Sequence, residues 1–267
     1  MLKIAVFGAN GRMGRAVTKV VTSAVDAEIV GACTEAGSEF IGRDAGELAG
    51  ISKINIYVTA NAKQALKDAD IAIDFTLPDA VSANLKACKV AGCSVVMGTT
   101  GLSSEHFELI DKFSQSNSIL YGRNLSIGVN VFTELARQAS RYLGPDWDVE
   151  ITEAHHRYKI DAPSGTALQL GEAIAEERGQ NLDDVLVLGR SGHTGERPAG
   201  AIGISSIRGG NLVGDHGISF ASDNETMELN HHAVNRELFA SGALRAAYWL
   251  VKQPAGLFSM RDMLEFK

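Results

Sequence analysis

The stretch LKIAVFGANGRMGRAVTKVVTS, residues 2–23, decides the fold prediction. Its short apolar start predicts a strand, glycines follow at positions 8, 11 and 14, and the remainder has the apolar spacing of an amphipathic helix. The segment AEIVGACTE, residues 27–35, then predicts a second strand. Strand, glycine turn, helix and strand in this order are typical of a βαβ unit.

The same alternation continues to about residue 124. Strands are predicted in INIYVTA (54–60), IAIDFT (71–76), SVVMGTT (94–100) and ILYGRN (119–124), and helices in AKQALKDA (62–69), PDAVSANLKACKVAG (78–92) and a segment from Ser103. Repeated alternation of this kind predicts a parallel sheet with helices on both faces, which is an α/β fold.

The pattern changes after residue 130. A helix is predicted in VFTELARQASRYLG (131–144), a strand in DVEITEAHH (148–156), and another helix after Ser164. The glycine-punctuated segments AIGISSIRGG (201–210), LVGDHGISFA (212–221) and ETMELNHHA (225–233) are predicted to pair as antiparallel strands, before a last helix in residues 236–252. The length of 267 residues favours two domains.

Composition excludes several classes of protein. Hydrophobic residues make up 45% and charged residues 21%, which are ordinary globular values. The net charge of −7 argues against a nucleic-acid partner. The chain starts directly with a strand, has no segment of membrane-spanning length, and carries three cysteines without CxxC spacing. We therefore expect a cytoplasmic protein with no membrane partner.

The glycine turn predicts a dinucleotide site. Asn10 occupies a position where the usual fingerprint has glycine, but asparagine tolerates the backbone conformation needed there. Glu35 ends the second strand, where an acidic residue bonds the adenosine ribose, and Ala36 follows instead of an arginine that could hold a 2′-phosphate. This pattern predicts NADH as the preferred cofactor and leaves NADPH open. The alternative is a plain tight turn beside a surface glutamate.

The segment EAHHRYKIDAPSGTA, residues 153–167, carries the other candidate chemistry. Adjacent histidines on a strand point to opposite faces, so they are poor joint metal ligands, and no nucleophile elbow surrounds Ser164. A lysine and a helix start could instead bind an anion, with His155 left for proton transfer. The alternative is a packed strand histidine beside a solvated loop.

These segments, together with GRMGR, GRDAGELAG, IDFT, GTTG, NLSIGVNV, GHTGERPAGAIG and GLFSMRDML, resemble the family of 4-hydroxy-tetrahydrodipicolinate reductase, also called dihydrodipicolinate reductase. The resemblance covers nearly the whole chain. It implies a Rossmann-like dinucleotide-binding domain in residues 1–127 and 237–267. It also implies a second α+β domain in residues 128–236, built on a largely antiparallel or mixed sheet, which binds substrate and forms a homotetramer.

The resemblance implies roles for individual residues. His155 is the proton donor and acceptor, and Lys159 is the second proton donor. The residues that hold the substrate's carboxylates are His156, Lys159, Ser164, Gly165 and Thr166. The residues that contact the cofactor are Gly8, Ala9, Asn10, Gly11, Arg12, Met13, Glu35, Gly98, Thr99, Thr100, Gly122, Arg123, Asn124 and Leu125. No metal is implied.

The implied reaction reduces 4-hydroxy-tetrahydrodipicolinate to tetrahydrodipicolinate in lysine and diaminopimelate synthesis. Water is lost, a hydride from NAD(P)H reaches C4, and a proton is added at C3. A different NAD(P)-dependent dehydrogenase of amino-acid metabolism would share the first half of the chain but would not need HHRYK with PSGT. A nucleotide-sensing binding protein would have no use for the histidine and lysine.

Overall fold

The computed structural model describes residues 1–266, which form two compact units. The first unit contains residues 1–127 and 236–266, and the second contains residues 128–235. Within the described residues, no helix is both long and apolar enough to cross a membrane.

Eleven strands and ten α-helices are present among the described residues. The strands are β1 (Leu2–Phe7), β2 (Ala27–Cys33), β3 (Ile71–Asp74), β4 (Ser94–Met97), β5 (Ser118–Tyr121), β6 (Asp148–His155), β7 (Leu186–Leu188), β8 (Ile202–Arg208), β9 (Asp215–Ala221), β10 (Thr226–His232) and β11 (Gly256–Phe258). The helices are α1 (Arg12–Thr22), α2 (Ala45–Leu48), α3 (Ala62–Ala65), α4 (Val81–Ala91), α5 (Ser104–Ser114), α6 (Ile127–Leu143), α7 (Gly165–Glu177), α8 (Leu182–Val185), α9 (Glu237–Leu250) and α10 (Met260–Met263).

The first unit is built on a six-stranded parallel sheet in the order β11-β5-β4-β3-β1-β2. Its central strands read as continuous apolar runs because helices cover both faces. Val17 of α1 and Ala243 of α9 belong to the core on one face, and Leu85 of α4 and Ile110 of α5 belong to the core on the other. The predicted α/β fold class is confirmed.

One predicted strand of this unit is wrong. Residues 54–60 form only isolated bridges, from Asp44 to Tyr57 and from Cys33 to Thr59. The buried carboxylate of Asp44 accepts the N–H groups of Ile54 at 3.2 Å and Asn55 at 2.7 Å, so these donors are not available to a neighbouring strand. Asn55 also has a φ of 61°, which lies outside the extended region. The helix predicted over residues 62–69 is reduced to the four residues of α3.

The second unit is built on a five-stranded mixed sheet in the order β10-β9-β6-β8-β7. β6 is central, because it pairs in parallel with β8 and antiparallel with β9. Alternate side chains of the sheet pack with α6 and α7 to form the core of this unit, whose members include Phe132, Ile151, Leu170, Ile204 and Phe220. The mixed sheet agrees with the predicted second fold type.

The predicted antiparallel pairing holds for β9 with β10 but is wrong for β8 with β9. β6 lies between those two strands. The connection over residues 209–214 crosses the carboxyl end of β6 and hydrogen-bonds to it there. The N–H of Gly209 donates to the carbonyl of His155 at 3.0 Å, and the N–H of Arg157 donates to the carbonyl of Gly210 at 3.4 Å.

Candidate active site

The glycine loop between β1 and α1 is closely packed. Gly8 has a φ of +69°, a conformation that glycine adopts without strain. A Cβ on Gly14 would lie 2.1 Å from the carbonyl oxygen of Gly8, so only glycine lets α1 begin against this loop. Gly11, the N-cap of α1, supplies no side-chain cap. The N-terminus of the helix is therefore suited to an anion such as a pyrophosphate.

A cleft of about 590 Å³ opens beside this loop. Six of the predicted cofactor residues line it, namely Gly8, Asn10, Gly11, Arg12, Met13 and Glu35. Ala9 is buried beneath the loop, where its N–H donates to the carbonyl of Cys33 at 3.0 Å. It can contribute to a ligand only by holding the loop in place.

Glu35 carries an ionised carboxylate into this cleft. Its pKa is lowered, mainly by the Thr34 hydroxyl, which donates to Oε2 at 2.6 Å. The Asn10 amide donates to the two carboxylate oxygens at 3.0 and 3.3 Å. The residue that departs from the usual glycine fingerprint therefore orients the acidic group expected to bond a ribose.

Seven other predicted cofactor residues follow β4 and β5 and do not line this cleft. They are Gly98, Thr99, Thr100, Gly122, Arg123, Asn124 and Leu125. The hydroxyl of Thr99 is buried and, in the described part of the chain, has no hydrogen-bond partner, which suits it to a polar group of a ligand. The Leu125 side chain is buried at 1% exposure, so only its backbone could face a cofactor.

The structure adds lining residues that sequence reasoning missed. They include Leu77, Asp79, Ala80, Asn84 and Arg236. Asp74 organises this wall, because its buried carboxylate accepts the Thr76 N–H at 2.8 Å and the Asn84 amide at 2.9 Å. Burial raises the pKa of Asp74. Arg236 directly precedes α9, where nothing in the sequence pattern distinguishes it from a surface arginine. The glycine loop, the helix start and Glu35 together fit a dinucleotide.

In the second unit, Glu153 and His155 lie two residues apart on β6 and therefore on the same face. Nδ1 of His155 lies 2.6 Å from Oε2 of Glu153. Arg208, at the end of β8, donates to both carboxylate oxygens at 2.8 Å. Burial by itself would raise the pKa of Glu153, but hydrogen bonds from Arg208, Ser206 and His155 lower it to about 2. Glu153 is therefore an anion.

The pKa of His155 is lowered. Burial is the largest cause, and the charges of Lys159 and Arg208 add to it, against an opposing effect of Glu153. The imidazole is therefore neutral at pH 7, and its protonated form is a stronger acid than ordinary imidazolium. This property suits a group that delivers a proton.

Lys159 belongs to the same polar network. Its ammonium group donates to both carboxylate oxygens of Asp161 at 2.8 Å, and 20% of its side chain is exposed. The carbonyl of Asp161 accepts a hydrogen bond from Arg208 at 2.6 Å. The structure thus connects the two predicted proton donors through Glu153, Arg208 and Asp161.

The start of α7 completes this site. Ser164 is its N-cap, and its buried hydroxyl accepts the N–H of Ala167 at 3.2 Å and lies 2.9 Å from Nε2 of His216. The polar groups of Ser164 are thus engaged within the protein, whereas Gly165 is exposed with open space around it. Thr166 follows it in the first turn and is partly buried.

Two histidines complete the description of this site. His156 is partly buried, and its Nδ1 has no hydrogen-bond partner among residues 1–266. Burial lowers the pKa of His216 to about 4, so this side chain is neutral. In the described residues, no group of three or more His, Cys, Asp or Glu side chains could hold a metal ion.

Sequence reasoning missed Glu153, Arg208 and His216. The period-two spacing of EITEAHH could have placed Glu153 beside His155. Arg208 and His216 come from later strands, and their register with β6 carries no local signal.

Comparison with known proteins identifies the family of this chain. The profile described as dihydrodipicolinate reductase, N-terminus, matches residues 2–125, and that of the C-terminus matches residues 128–264. The 4-hydroxy-tetrahydrodipicolinate reductase of Pseudomonas fluorescens (strain SBW25) is 47% identical over 266 residues, covering 99% of each chain. The enzyme of the same name from Halorhodospira halophila is 46% identical over 263 residues, covering 98% of each chain.

Among solved structures, the dipicolinate-bound dihydrodipicolinate reductase from Paenisporosarcina sp. TG-14 superposes with a TM-score of 0.77 at 26% identity, covering 97% of each chain. An amine dehydrogenase from Mycobacterium smegmatis, at 13% identity and a TM-score of 0.60, shares the fold alone. Two profiles that together span nearly the whole chain and relatives above 40% identity lead to one conclusion. The chain belongs to the dihydrodipicolinate reductase family.

Proposed function

We propose that this protein reduces 4-hydroxy-tetrahydrodipicolinate to tetrahydrodipicolinate with NAD(P)H, in lysine and diaminopimelate synthesis. The observation that carries the proposal is the polar network of the second unit. It couples His155 and Lys159 beside the start of α7, in a chain that also has a dinucleotide cleft. Residues 1–127 and 237–267 form the cofactor domain of this proposal, and residues 128–236 form the substrate domain.

The reaction requires a dianion to be held while one hydride and one proton are added. The reduced nicotinamide, when bound, supplies the hydride for C4. The start of α7 at Gly165 and Thr166, with His156 and Lys159, holds the substrate's carboxylates. Ser164 contributes by capping the helix, because its hydroxyl bonds within the protein. A dianion in this position is attracted to the cations Lys159 and Arg208.

His155 delivers the proton to C3. The imidazolium form is the donor, and after transfer the imidazole is neutral. The lowered pKa of His155 favours this direction of transfer. Lys159 is the second proton donor, and its ammonium group also balances the substrate's negative charge.

Assay with enzymatically generated substrate tests the reaction. NADH oxidation followed by absorbance is expected, and absence of turnover with both cofactors would exclude the activity. His155→Ala and Lys159→Ala are expected to lose most of their turnover while binding NADH as the wild type does. His193→Gln and Lys63→Ala are matched controls because both residues lie outside the network and the cleft. Normal turnover of His155→Ala would refute its role as the acid.

NADH is the preferred cofactor of this proposal. A 2′-phosphate would approach the Glu35 carboxylate, which Asn10 and Thr34 hold in place, and Ala36 offers no cation. Ala36→Arg is expected to raise kcat/KM for NADPH, whereas Ala36→Gln, of similar length without charge, is not. Equal kcat/KM of the wild type for both cofactors would contradict the preference.

A homotetramer in the cytoplasm completes the proposal. On the sheet face of the second unit opposite α6 and α7, Thr152, Ser205 and Ile207 are exposed, Ile207 to 55%. We assign the contact between copies to this face because of its exposed apolar side chain, and sedimentation velocity tests the assembly. Three buried cysteine thiols without disulfides fit a reducing compartment, which cell fractionation tests.

A further inference from the structure

The Glu153 carboxylate lies where three parts of the second unit meet. Its side chain has 0% exposure. It contacts Nδ1 of His155 on its own strand and accepts two hydrogen bonds from the Arg208 guanidinium of β8. It also accepts the backbone N–H of Ser164 at 3.2 Å, at the start of α7.

We propose that Glu153 is a positioning residue that holds His155 in the tautomer with hydrogen on Nδ1, so that Nε2 is the nitrogen that exchanges the catalytic proton. This inference rests on the proposed role of His155 as the acid. Its basis is geometric. A buried carboxylate anion has no hydrogen to donate, so the 2.6 Å contact requires the hydrogen on Nδ1 of the imidazole. The same arrangement fixes the histidine tautomer in other acid–base sites.

Glu153 also reaches the second proton donor indirectly. Arg208, held by Glu153, donates to the carbonyl of Asp161 at 2.6 Å, and the carboxylate of Asp161 binds the ammonium group of Lys159. Ser164 links Glu153 to the helix start that faces the substrate's carboxylates. One buried carboxylate therefore sets the relative placement of the acid, the lysine and the anion-binding backbone.

Several charged and titratable groups surround His155. Glu153 lies on its own strand, Lys159 and Asp161 on the segment that follows, Arg208 on β8, and His216 on β9 with ring centres 5.2 Å apart. Glu153 stabilises the charged imidazole, whereas Lys159 and Arg208 destabilise it. Removing the Glu153 charge while keeping the cations should therefore move the titration of His155 to lower pH.

Glu153→Gln is the direct test, read by ¹⁵N NMR of histidine-labelled protein without substrate or cofactor. The wild type is expected to show neutral His155 with hydrogen on Nδ1, and the variant a mixture of tautomers and a titration at lower pH. Glu150→Gln is the matched control, because Glu150 lies on the opposite face of the same strand and likewise binds guanidinium groups, those of Arg190 and Arg197. It should leave the His155 signals unchanged.

Kinetics give the second readout. Glu153→Gln is expected to lower kcat by about 100-fold, the effect of a wrong tautomer in a comparable site being at least as large. The KM for NADH should not change, and Glu153→Asp should recover part of kcat because it keeps the charge. If an unpaired Arg208 prevents folding, the neutral double variant Glu153→Gln with Arg208→Gln is measured instead, with the same expected loss of the Nδ1–H tautomer.

The NMR result does not depend on the identity of the substrate, so the two proposals fail separately. Absence of turnover in the wild type, with the expected tautomer, would remove the proposed reaction and leave the positioning role. A wild-type His155 with hydrogen on Nε2 would overturn the inference. Retention of both the Nδ1–H tautomer and wild-type kcat in Glu153→Gln or in the double variant would also overturn it.

Discussion

Acidification should destabilise the second unit through His216. This side chain is 5% exposed and lies under the start of α7. Burial lowers its pKa from the ordinary value of 6.5 to about 4, with smaller effects of His155 and His231 in the same direction and of Glu153 and Asp215 in the opposite direction. His216 is therefore neutral in the folded protein at neutral pH.

The sign of the effect follows from proton binding. Above pH 6.5 His216 is neutral in both states and contributes nothing. As the pH falls below 6.5, His216 becomes protonated in the unfolded chain, whereas in the folded chain it stays neutral until about pH 4. Stability thus decreases across this window, and the loss attributable to His216 is about 2 kcal/mol near pH 5 and about 3 kcal/mol near pH 4.

His216→Gln isolates this contribution. Urea unfolding would be followed by Trp147 fluorescence, in a Trp249→Phe background that leaves one of the two tryptophans, at about pH 7 and pH 5. The wild type should lose roughly 2 kcal/mol more than the variant between these two conditions. His193→Gln, which removes an imidazole from an exposed loop, should run parallel to the wild type. Equal losses in the wild type and His216→Gln would refute the reasoning.

Three further substitutions test the packing of the two units. Gly14→Ala would place its Cβ 2.1 Å from the Gly8 carbonyl oxygen, so we expect NADH affinity measured by fluorescence titration to fall at least about tenfold, and unchanged affinity would contradict the tight loop. Leu170→Ala removes a side chain with 0% exposure from the core of the second unit and should cost about 2–5 kcal/mol in urea unfolding, whereas a loss below about 1 kcal/mol would mean that the core closes around it. Asp44→Ala leaves four backbone N–H groups without their acceptor and should cost at least about 2 kcal/mol in the same assay, with the exposed Asp68→Ala as the control outside this turn.

The architecture could be predicted where the periodicity of the sequence is set by local burial. β1, β3 and β4 contain the buried apolar runs 4–7, 71–73 and 95–97 because both faces of their sheet are covered, and the glycine spacing predicts the turn into α1. The strand expected at residues 54–60 has the same apolar content. It fails because Asp44 binds its backbone, a contact between segments ten and eleven residues apart that periodicity cannot reveal.

Strand order in the second unit depends on longer-range pairing. The Gly-Gly-Asn sequence at 209–211 is typical of a hairpin, yet here it carries the chain across the end of β6. A loop of six residues permits either connection. Whether β9 pairs with β8 or with β6 depends on how well β6 pairs with both neighbours, and these pairings join residues that are far apart in the sequence.

In the candidate site, too, residues close in the sequence could be predicted and residues from distant strands could not. His155, Lys159 and the α7 start could be identified because they occur within one short segment. The groups that set their chemistry could not, because Arg208 and His216 come from β8 and β9. The NADH preference, the residue roles and the tetramer stay predictions. Membership of the family is confirmed by the comparisons, and the resemblance of the quoted motifs had indicated it.

On one face of the second unit's sheet, apolar core residues occupy one half of β6 and the polar residues of the candidate site occupy the other half. On β6, Val149 and Ile151 are fully buried in the apolar core, and Glu153 and His155 continue the same row of alternate side chains. A buried ion pair such as Glu153 with Arg208 adds little to stability compared with apolar residues of the same volume, since desolvation offsets its attraction. Stability alone therefore gives no reason for charges to replace the apolar row at its carboxyl end. The need to orient the His155 imidazole and the start of α7 does give a reason, because both are hydrogen-bonded to the Glu153 carboxylate. We therefore expect that replacing Glu153 and Arg208 with apolar residues would reduce turnover more than it reduces folding stability.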